Sequence, residues 1–75
     1  MIPVDRMYLV ERREKVVIGK LKVGVRLGFL GGRLVTASPE YEDVRRVAAA
    51  VGRPVKIVYE AAQAAARNQF SGPGS

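Results

Sequence analysis

Four basic side chains lie close together in the first half of the sequence: Lys20, Lys22, Arg26 and Arg33. Between residues 20 and 29, apolar residues alternate with basic residues or glycine, so the cations are predicted to share the polar face of a β-ribbon. Such a row of charge-assisted hydrogen-bond donors suits a polyphosphate. The alternative is a solvated outer face whose lysines protect a sheet edge against aggregation.

Two glycines, Gly24 and Gly28, lie between these cations in the same predicted strand. A glycine lets a ligand or another backbone segment approach the strand closely, and it is equally compatible with a β-bulge. We therefore expect one of these two features at each position.

Three acidic residues, Glu40, Glu42 and Asp43, follow at the start of a predicted helix. Carboxylates can hold Mg²⁺ or Mn²⁺ beside phosphate oxygens, which makes Glu42 and Asp43 the candidate metal ligands. The alternative is that the acids interact with the helix dipole and pair with Arg45 or Arg46.

The segment from Val44 to Gln63 has the residue spacing of a helix-turn-helix, with Ala48 in the first helix and Gly52 at the turn. Its second helix offers few polar side chains within a field of alanine: Lys56, Glu60 and Gln63. Arginine and asparagine side chains that read base edges are missing from that stretch. A simple αα-hairpin is therefore favoured, and a nucleic-acid-binding module remains the alternative.

The sequence contains neither cysteine nor histidine. Disulfides, thiolate zinc sites, cysteine nucleophiles and the usual general base near neutral pH are therefore excluded. Any metal must be a hard ion held by carboxylates or substrate oxygens, or must arrive on ligands that the substrate supplies. If the chain assists catalysis, it does so by positioning and by phosphate electrostatics.

The composition predicts one small, basic domain. The chain has 75 residues and a formal net charge of +6, which favours an anionic partner or reflects the surface chemistry of a thermophile. Much of the apolar content is alanine, so we expect a partner, a homo-oligomer or the rest of a longer chain to complete the core. No apolar run is long enough to span a membrane, and a cytoplasmic protein is expected.

The predicted elements form an α+β fold in the order β-β-β-α-α, a small three-stranded antiparallel sheet with a two-helix hairpin packed on one face. The first strand is predicted over residues 7–12, with a turn at Arg13-Glu14. Gly31-Gly32 is predicted to be a two-residue hairpin turn, with Leu30 opposite Arg33 and Phe29 opposite Leu34. Continuing this register sets Leu27 opposite Thr36 and Arg26 opposite Ala37.

The helices are delimited by familiar end signals. Ser38 is the predicted N-cap and Pro39 the first helical residue, and Gly52 ends that helix. Pro54 is predicted to open a second helix that ends around Arg67 or Asn68. Residues 1–69 are therefore expected to form a single module, the C-terminal fragment of a larger domain, and residues 70–75 a flexible tail or expression remnant.

Residues 38–62, SPEYEDVRRVAAAVGRPVKIVYEAA, resemble the C-terminal end of the LarC family, nickel insertion proteins that complete the nickel-pincer nucleotide cofactor of lactate racemase. The family carries a Pro-Glu-Tyr-Glu-Asp-Cys segment, then an apolar helix, a Gly-x-Pro turn and a helix with a Val-Tyr pair. Residues 39–43 match the first part, Gly52 and Pro54 the turn, and Val58 and Tyr59 the pair. The likeness covers residues 6–67.

The resemblance implies a CTP-dependent reaction of the lyase class. CTP carrying Mg²⁺ or Mn²⁺ supports insertion of nickel into pyridinium-3,5-bisthiocarboxylic acid mononucleotide, which supplies the nickel's sulfur and carbon ligands. The resemblance and the side-chain pattern together identify the expected contacts to CTP phosphates: Lys20, Lys22, Arg26 and Arg33. Glu42 and Asp43 are the expected contacts to metal or ribose. The catalytic residues are unknown.

The expected partners are the nucleotide, the mononucleotide substrate, the remainder of a LarC-like protein and further copies of the chain. Nickel-inserting activity is not expected of this fragment alone, and a ligand-free structural oligomerisation domain is a further alternative. Two positions depart from the family pattern: Val44 replaces the cysteine after the acidic segment, and Gly24 replaces a second lysine that relatives tend to carry.

Overall fold

The computed structural model describes residues 9–71, which form three strands and two helices in the predicted order. These are β1 (Leu9–Ile18), β2 (Leu21–Leu30), β3 (Arg33–Pro39), α1 (Tyr41–Val51) and α2 (Val55–Phe70). The strands pair antiparallel in the order β1-β2-β3. The α+β architecture predicted from the sequence is therefore confirmed.

The first hairpin is longer than predicted. Arg13 and Glu14, predicted to form a turn, lie within β1, and the chain reverses at Gly19-Lys20 instead. The apolar alternation continues through Val16 and Ile18, which face the core, and Gly19 takes the positive φ of 68° that a tight turn needs. The predicted strand start at Met7 lies outside the described residues.

The second hairpin confirms the predicted turn but shifts the register beyond it. Gly31 and Gly32 have φ of 62° and 81°, and Phe29 pairs with Leu34 as predicted. A β-bulge at Val35 then sets Leu27 opposite Ala37 and Arg26 opposite Ser38, so the predicted partners Thr36 and Ala37 are wrong by one residue. The bulge turns Ala37 and Pro39 toward the core, where both are buried.

The first helix begins later than predicted. Ser38 and Pro39 belong to β3, and Glu40 is the N-cap, with extended backbone angles and no side-chain capping bond. Gly52 ends α1 as predicted, in the left-handed conformation with its N–H donating to the Ala48 carbonyl. The second helix starts at Val55 after Pro54 and continues to Phe70, beyond the predicted end.

The core lies between one face of the sheet and the two helices. It is built from small apolar side chains, all with relative exposure of 4% or less: Val16, Val23, Val25, Leu27, Ala37, Val44, Val47, Ala48, Val58, Ala62 and Ala66. The alanines of α2 let that helix approach the sheet closely. Gln63, one of the polar side chains considered for reading DNA, donates from its Nε2 to the Ala37 carbonyl at 2.9 Å.

No helix within residues 9–71 is long and apolar enough to cross a membrane.

Candidate functional site

The backbone hydrogen bonds between the acidic segment and the sheet are made at one residue of β2, Gly24. Because β3 ends at Pro39, opposite Val25, the backbone groups of Gly24 have no strand partner on that side. The Glu40 N–H donates to the Gly24 carbonyl at 2.8 Å, and the Gly24 N–H donates to Asp43 Oδ2 at 2.9 Å. The start of α1 therefore replaces the missing strand.

Both carboxylate oxygens of Asp43 have partners. Oδ1 accepts a hydrogen bond from Arg46 Nη1 at 3.0 Å, and Arg46 Nη2 reaches the Lys22 carbonyl at 3.5 Å. The Gly24 amide foremost, and then the Arg46 guanidinium, stabilise the charged carboxylate and hold the pKa of Asp43 below its ordinary value. Asp43 thus connects α1 to the central strand.

Gly24 permits this close approach because it lacks a side chain. A Cβ atom there would lie 3.2 Å from Asp43 Oδ2 and 3.3 Å from Glu40 Cγ. Gly28 has the same effect further along β2, where a Cβ atom would overlap the Thr36 hydroxyl. At Gly24 the expected close approach of another backbone segment is observed, since the Glu40 N–H donates to its carbonyl. At Gly28, by contrast, the neighbour is the Thr36 side chain, and the expected bulge lies opposite, at the step from Gly28 to Phe29.

A cleft of about 670 Å³ opens beside Gly24, on the side of the sheet opposite the core. Its lining combines a basic and an acidic wall around the glycine: Arg13, Glu14, Lys15, Gly24, Val25, Arg26, Glu40, Glu42 and Asp43. We call it the Gly24 cleft. Charges of both signs around an open floor are suited to an anion that carries a cation.

The basic wall contains a pair of like charges. Arg13 and Arg26 are direct cross-strand partners, and Lys15 stands opposite Gly24 one pair further along the same face. Like charges directly opposite one another destabilise a sheet. Arg26 lies 3.9 Å from Glu40 Oε2, a long and solvent-exposed ion pair that compensates little of this repulsion.

The candidate site residues predicted from the sequence are only partly brought together. Arg26, Glu42 and Asp43 line the Gly24 cleft, whereas the other three cations do not. Lys20 lies in the β1–β2 turn and Arg33 begins β3 at the opposite end of the hairpin. Lys22 shares the outer face with Arg26 but lies outside the cleft lining. Their roles as phosphate contacts stay predictions.

The metal prediction also stays a prediction. Among residues 9–71, no three Asp, Glu, His or Cys side chains are grouped so as to hold a metal ion. Asp43 is engaged with Gly24 and Arg46, while Glu42 is exposed at the cleft. A divalent ion at this site would therefore need ligands from a bound nucleotide.

Two cations of the cleft, Arg13 and Lys15, were not among the predicted site residues. They were missed because the sequence prediction ended the first strand at Arg12. The run from Val16 to Ile18 followed by Gly19 carried the missing signal, since an apolar run before a glycine turn extends the strand. With that extension, Arg13 and Lys15 fall on the outer face beside Arg26 and Gly24.

Comparison with known proteins identifies relatives. The family model described as "Nickel insertion protein" matches residues 1–59. The chain is 53% identical over 36 residues to the pyridinium-3,5-bisthiocarboxylic acid mononucleotide nickel insertion protein of Desulfitobacterium hafniense, which covers 48% of this chain and 9% of that protein. It is 52% identical over 44 residues to a putative nickel insertion protein of Myxococcus xanthus, covering 59% of this chain and 11% of that protein.

The matched segments thus span about a tenth of the length of these curated relatives. No solved structure matches the chain significantly. The family match nevertheless covers most of the sequence, including the acidic segment and the strands that surround Gly24. The chain belongs to the nickel insertion protein family, the LarC family.

Proposed function

We propose that this chain is a C-terminal module of a nickel insertion protein and that the Gly24 cleft binds the phosphates of CTP. The complete protein would insert nickel into pyridinium-3,5-bisthiocarboxylic acid mononucleotide in a CTP-dependent reaction, as the name of the Desulfitobacterium relative suggests for the substrate. The module would contribute nucleotide binding and self-association, and it would not insert nickel alone.

The observation that carries this proposal is the unfavourable pairing of Arg13 with Arg26. Natural proteins break a local stability rule chiefly at functional sites, and the cost is compensated elsewhere in the structure. A polyphosphate between the two guanidinium groups would convert their repulsion into charge-assisted hydrogen bonds. Lys15 stands close enough on the same face to extend the contact to a further phosphate.

The acidic wall fits the metal that accompanies a nucleotide. Mg²⁺ and Mn²⁺ prefer oxygen ligands, and Mg²⁺ is usually held by one or two carboxylates together with substrate phosphates. Glu42 is an exposed carboxylate beside the cleft. The neighbouring Asp43 would hold the first turn of α1 in position and thereby orient the Glu42 carboxylate toward the metal. The bound metal would neutralise phosphate charge, and nickel itself would remain on its substrate.

The test is calorimetric titration of the protein with CTP and Mn²⁺, using two matched arginine variants. Arg26→Glu reverses a charge in the cleft, and Arg45→Glu reverses an exposed charge on α1 outside it. Both lower the net charge by the same amount. We expect Arg26→Glu to weaken binding roughly 100-fold and Arg45→Glu to change it less than about threefold. Equal losses would contradict a localised site.

The remaining predicted phosphate contacts are tested in the same titration. If phosphates extend along the sheet beyond the cleft, Lys20→Glu, Lys22→Glu and Arg33→Glu will also weaken CTP binding. If none of the three variants matters, the contacts are confined to Arg13, Lys15 and Arg26.

The nucleic-acid alternative has a different signature. Duplex DNA without any triphosphate would bind, and its affinity would fall steeply with salt. Gln63 argues against it, since its side-chain amide is held by the Ala37 carbonyl. A duplex titration that gives no binding at physiological salt while CTP binds would remove this alternative.

A further inference from the structure

The outer edge of β1 has no partner strand within the described part of the chain. The sheet order β1-β2-β3 makes β1 an edge strand of 10 residues. Long exposed edges readily pair with another strand. Three of its apolar side chains are also left exposed: Leu9 at 46%, Val10 at 48% and Val17 at 58%.

The hydrogen bonds of Gly24 show which β1 residues direct their backbone groups outward. Gly24 directs both its N–H and its C=O away from β1, toward Asp43 and Glu40. In an antiparallel sheet the direction alternates, so Val23 and Val25 direct theirs toward β1. Even-numbered residues of β1 are their partners, and the odd-numbered residues therefore present free backbone groups at the edge.

This alternation restricts how two copies of β1 can pair. An antiparallel pairing must set odd residues against odd residues, so the two-fold axis has to pass through a residue position. With the axis at Arg13, Glu11 faces Lys15, and the ion pair that Arg12 and Glu14 form within each strand at 2.6 Å faces the same pair of the second copy, acid against base. Both charged pairs occur twice in the symmetric dimer.

The same register also pairs apolar residues with apolar residues. Leu9 faces Val17, and Val10 faces Val16, so the exposed ends of β1 pair with apolar partners. Neighbouring registers are worse: an axis at Arg12 sets Val10 against Glu14, and an axis at Glu14 sets like charges opposite each other. With the axis at Arg13, every facing pair therefore joins opposite charges or two apolar side chains, except the central pair of Arg13 with Arg13.

Burial differs between the two ends of β1. Val16 is buried beneath the helices at 1% exposure, whereas Leu9 and Val10, at the other end of β1, are half exposed. The two-fold axis brings the covered end of one copy beside the uncovered end of the other. Val10 would then lie at the margin of the partner's core, which removes its apolar surface from water.

We propose that two copies of this chain pair antiparallel through β1, with Arg13 facing Arg13 of the second copy, to form a continuous six-stranded sheet. The proposal rests on the self-association included in the proposed function and specifies its interface. It also joins the two Gly24 clefts, because Arg26 and Arg13 of one copy and the same pair of the other form a row across the outer face.

Cross-linking between introduced cysteines tests the register, because the chain has no cysteine of its own. Residues 12 and 14 are even-numbered, so they would form non-hydrogen-bonded pairs across the axis with Cα atoms about 4.5 Å apart, within disulfide range. A mixture of Arg12→Cys and Glu14→Cys chains should cross-link. Each variant alone should not, since identical positions would lie about 7–8 Å apart.

The controls make each outcome decisive. Thr36→Cys lies on β3, and a mixture of it with Arg12→Cys should give no specific product. Circular dichroism melting of each variant shows that the chains are folded. Cross-linking of Arg12→Cys with itself as efficiently as in the mixture would overturn the register, and so would a folded, dimeric wild type whose mixed variants fail to cross-link.

Charge exchange provides a test without cysteine. Glu11→Lys sets like charges opposite each other twice, and so does Lys15→Glu. Sedimentation equilibrium should show that each weakens the dimer at least about tenfold and that the double variant restores it. Failure of the double variant to recover overturns the interface.

The closing measurement separates this inference from the proposed function. Light scattering of the wild type at protein concentrations from about 10 µM to about 1 mM reports self-association itself. A dimer without the cross-link leaves self-association standing and overturns the β1 interface. A monomer at every concentration overturns both self-association and the β1 interface. CTP calorimetry tests nucleotide binding independently of either result.

Discussion

Asp43 connects the most identifying segment of the sequence to the central strand, through the Gly24 amide on one oxygen and Arg46 on the other. This geometry explains why an acidic run that looks like a simple helix start has a structural task as well. The same residue is a candidate metal contact. The two roles differ in what they predict for pH and for stability.

Asp43→Asn should lower the free energy of unfolding by about 1 kcal/mol at pH 7, because the charged acceptor is lost. The pKa of Asp43 in the folded state lies below its ordinary value of 3.8. Its contribution is therefore fully present above that value and is lost as the pH falls through the folded-state pKa. Melting curves at pH 7 and at about pH 2 should show the difference from wild type shrinking.

Glu42→Gln is the matched control for that experiment. Glu42 lines the same cleft but has no hydrogen bond or salt bridge to another side chain among residues 9–71. Its substitution should leave the melting temperature nearly unchanged at both pH values. A deficit in Asp43→Asn that persists undiminished at low pH would contradict the proposed electrostatic origin.

Gly24→Ala should weaken the contact between Asp43 and the strand. The new methyl group would lie 3.2 Å from Asp43 Oδ2, so the carboxylate has to shift by a few tenths of an ångström and its hydrogen bond to the Gly24 amide is strained. We expect a loss of about 1 kcal/mol of unfolding free energy. In an Asp43→Ala background that loss should disappear or change sign, because alanine otherwise suits a strand better than glycine. Additive effects in denaturant titrations would show that the contact is unimportant.

At the scale of elements, the two helices depend on small residues where α2 meets the sheet. Ala62 and Ala66 have no exposed surface, and they leave no space for longer side chains. Their spacing follows the helical period, which puts both on one face of α2. How closely these two alanines approach the sheet is seen only in the packing of the tertiary structure.

Ala62→Leu should overpack this interface and lower the unfolding free energy by about 1–3 kcal/mol. The control is Ala64→Leu, two positions along on the exposed side of the same helix. It should change stability by less than about 0.5 kcal/mol. Urea denaturation followed by circular dichroism compares them, and equal effects would place α2 in a different rotational orientation.

Element boundaries were the weak aspect of the sequence prediction, for two physical reasons. A charged pair such as Arg13-Glu14 fits a strand edge as well as a turn, and only pairing with β2 decided for the strand. Ser38 and Pro39 have strong helix-start preferences, yet β3 extended through both because the bulge turned Pro39 into the core. Tertiary burial outweighed local preference in each case.

At the scale of the whole molecule, charge dominates. A net charge of +6 on 75 residues favours anionic ligands, and a ligand that binds the folded state raises its stability. Sodium tripolyphosphate should therefore raise the melting temperature by several degrees, and sodium chloride at equal ionic strength should raise it less. In the Arg26→Glu variant the two salts should raise the melting temperature equally. In the Arg45→Glu variant tripolyphosphate should still raise it more than sodium chloride does. Identical shifts in wild type would indicate screening alone.

By itself the sequence determined the α+β class, the glycine turn between β2 and β3, the αα-hairpin and, through the acidic segment, the family. These features follow from local periodicity, turn chemistry and a short motif. Only the tertiary structure decided the length of β1, the bulge at Val35 and the gathering of Arg13, Lys15 and Arg26 around Gly24. The physical reason is that register and close approach depend on which side chains are buried together, and no single segment carries that information.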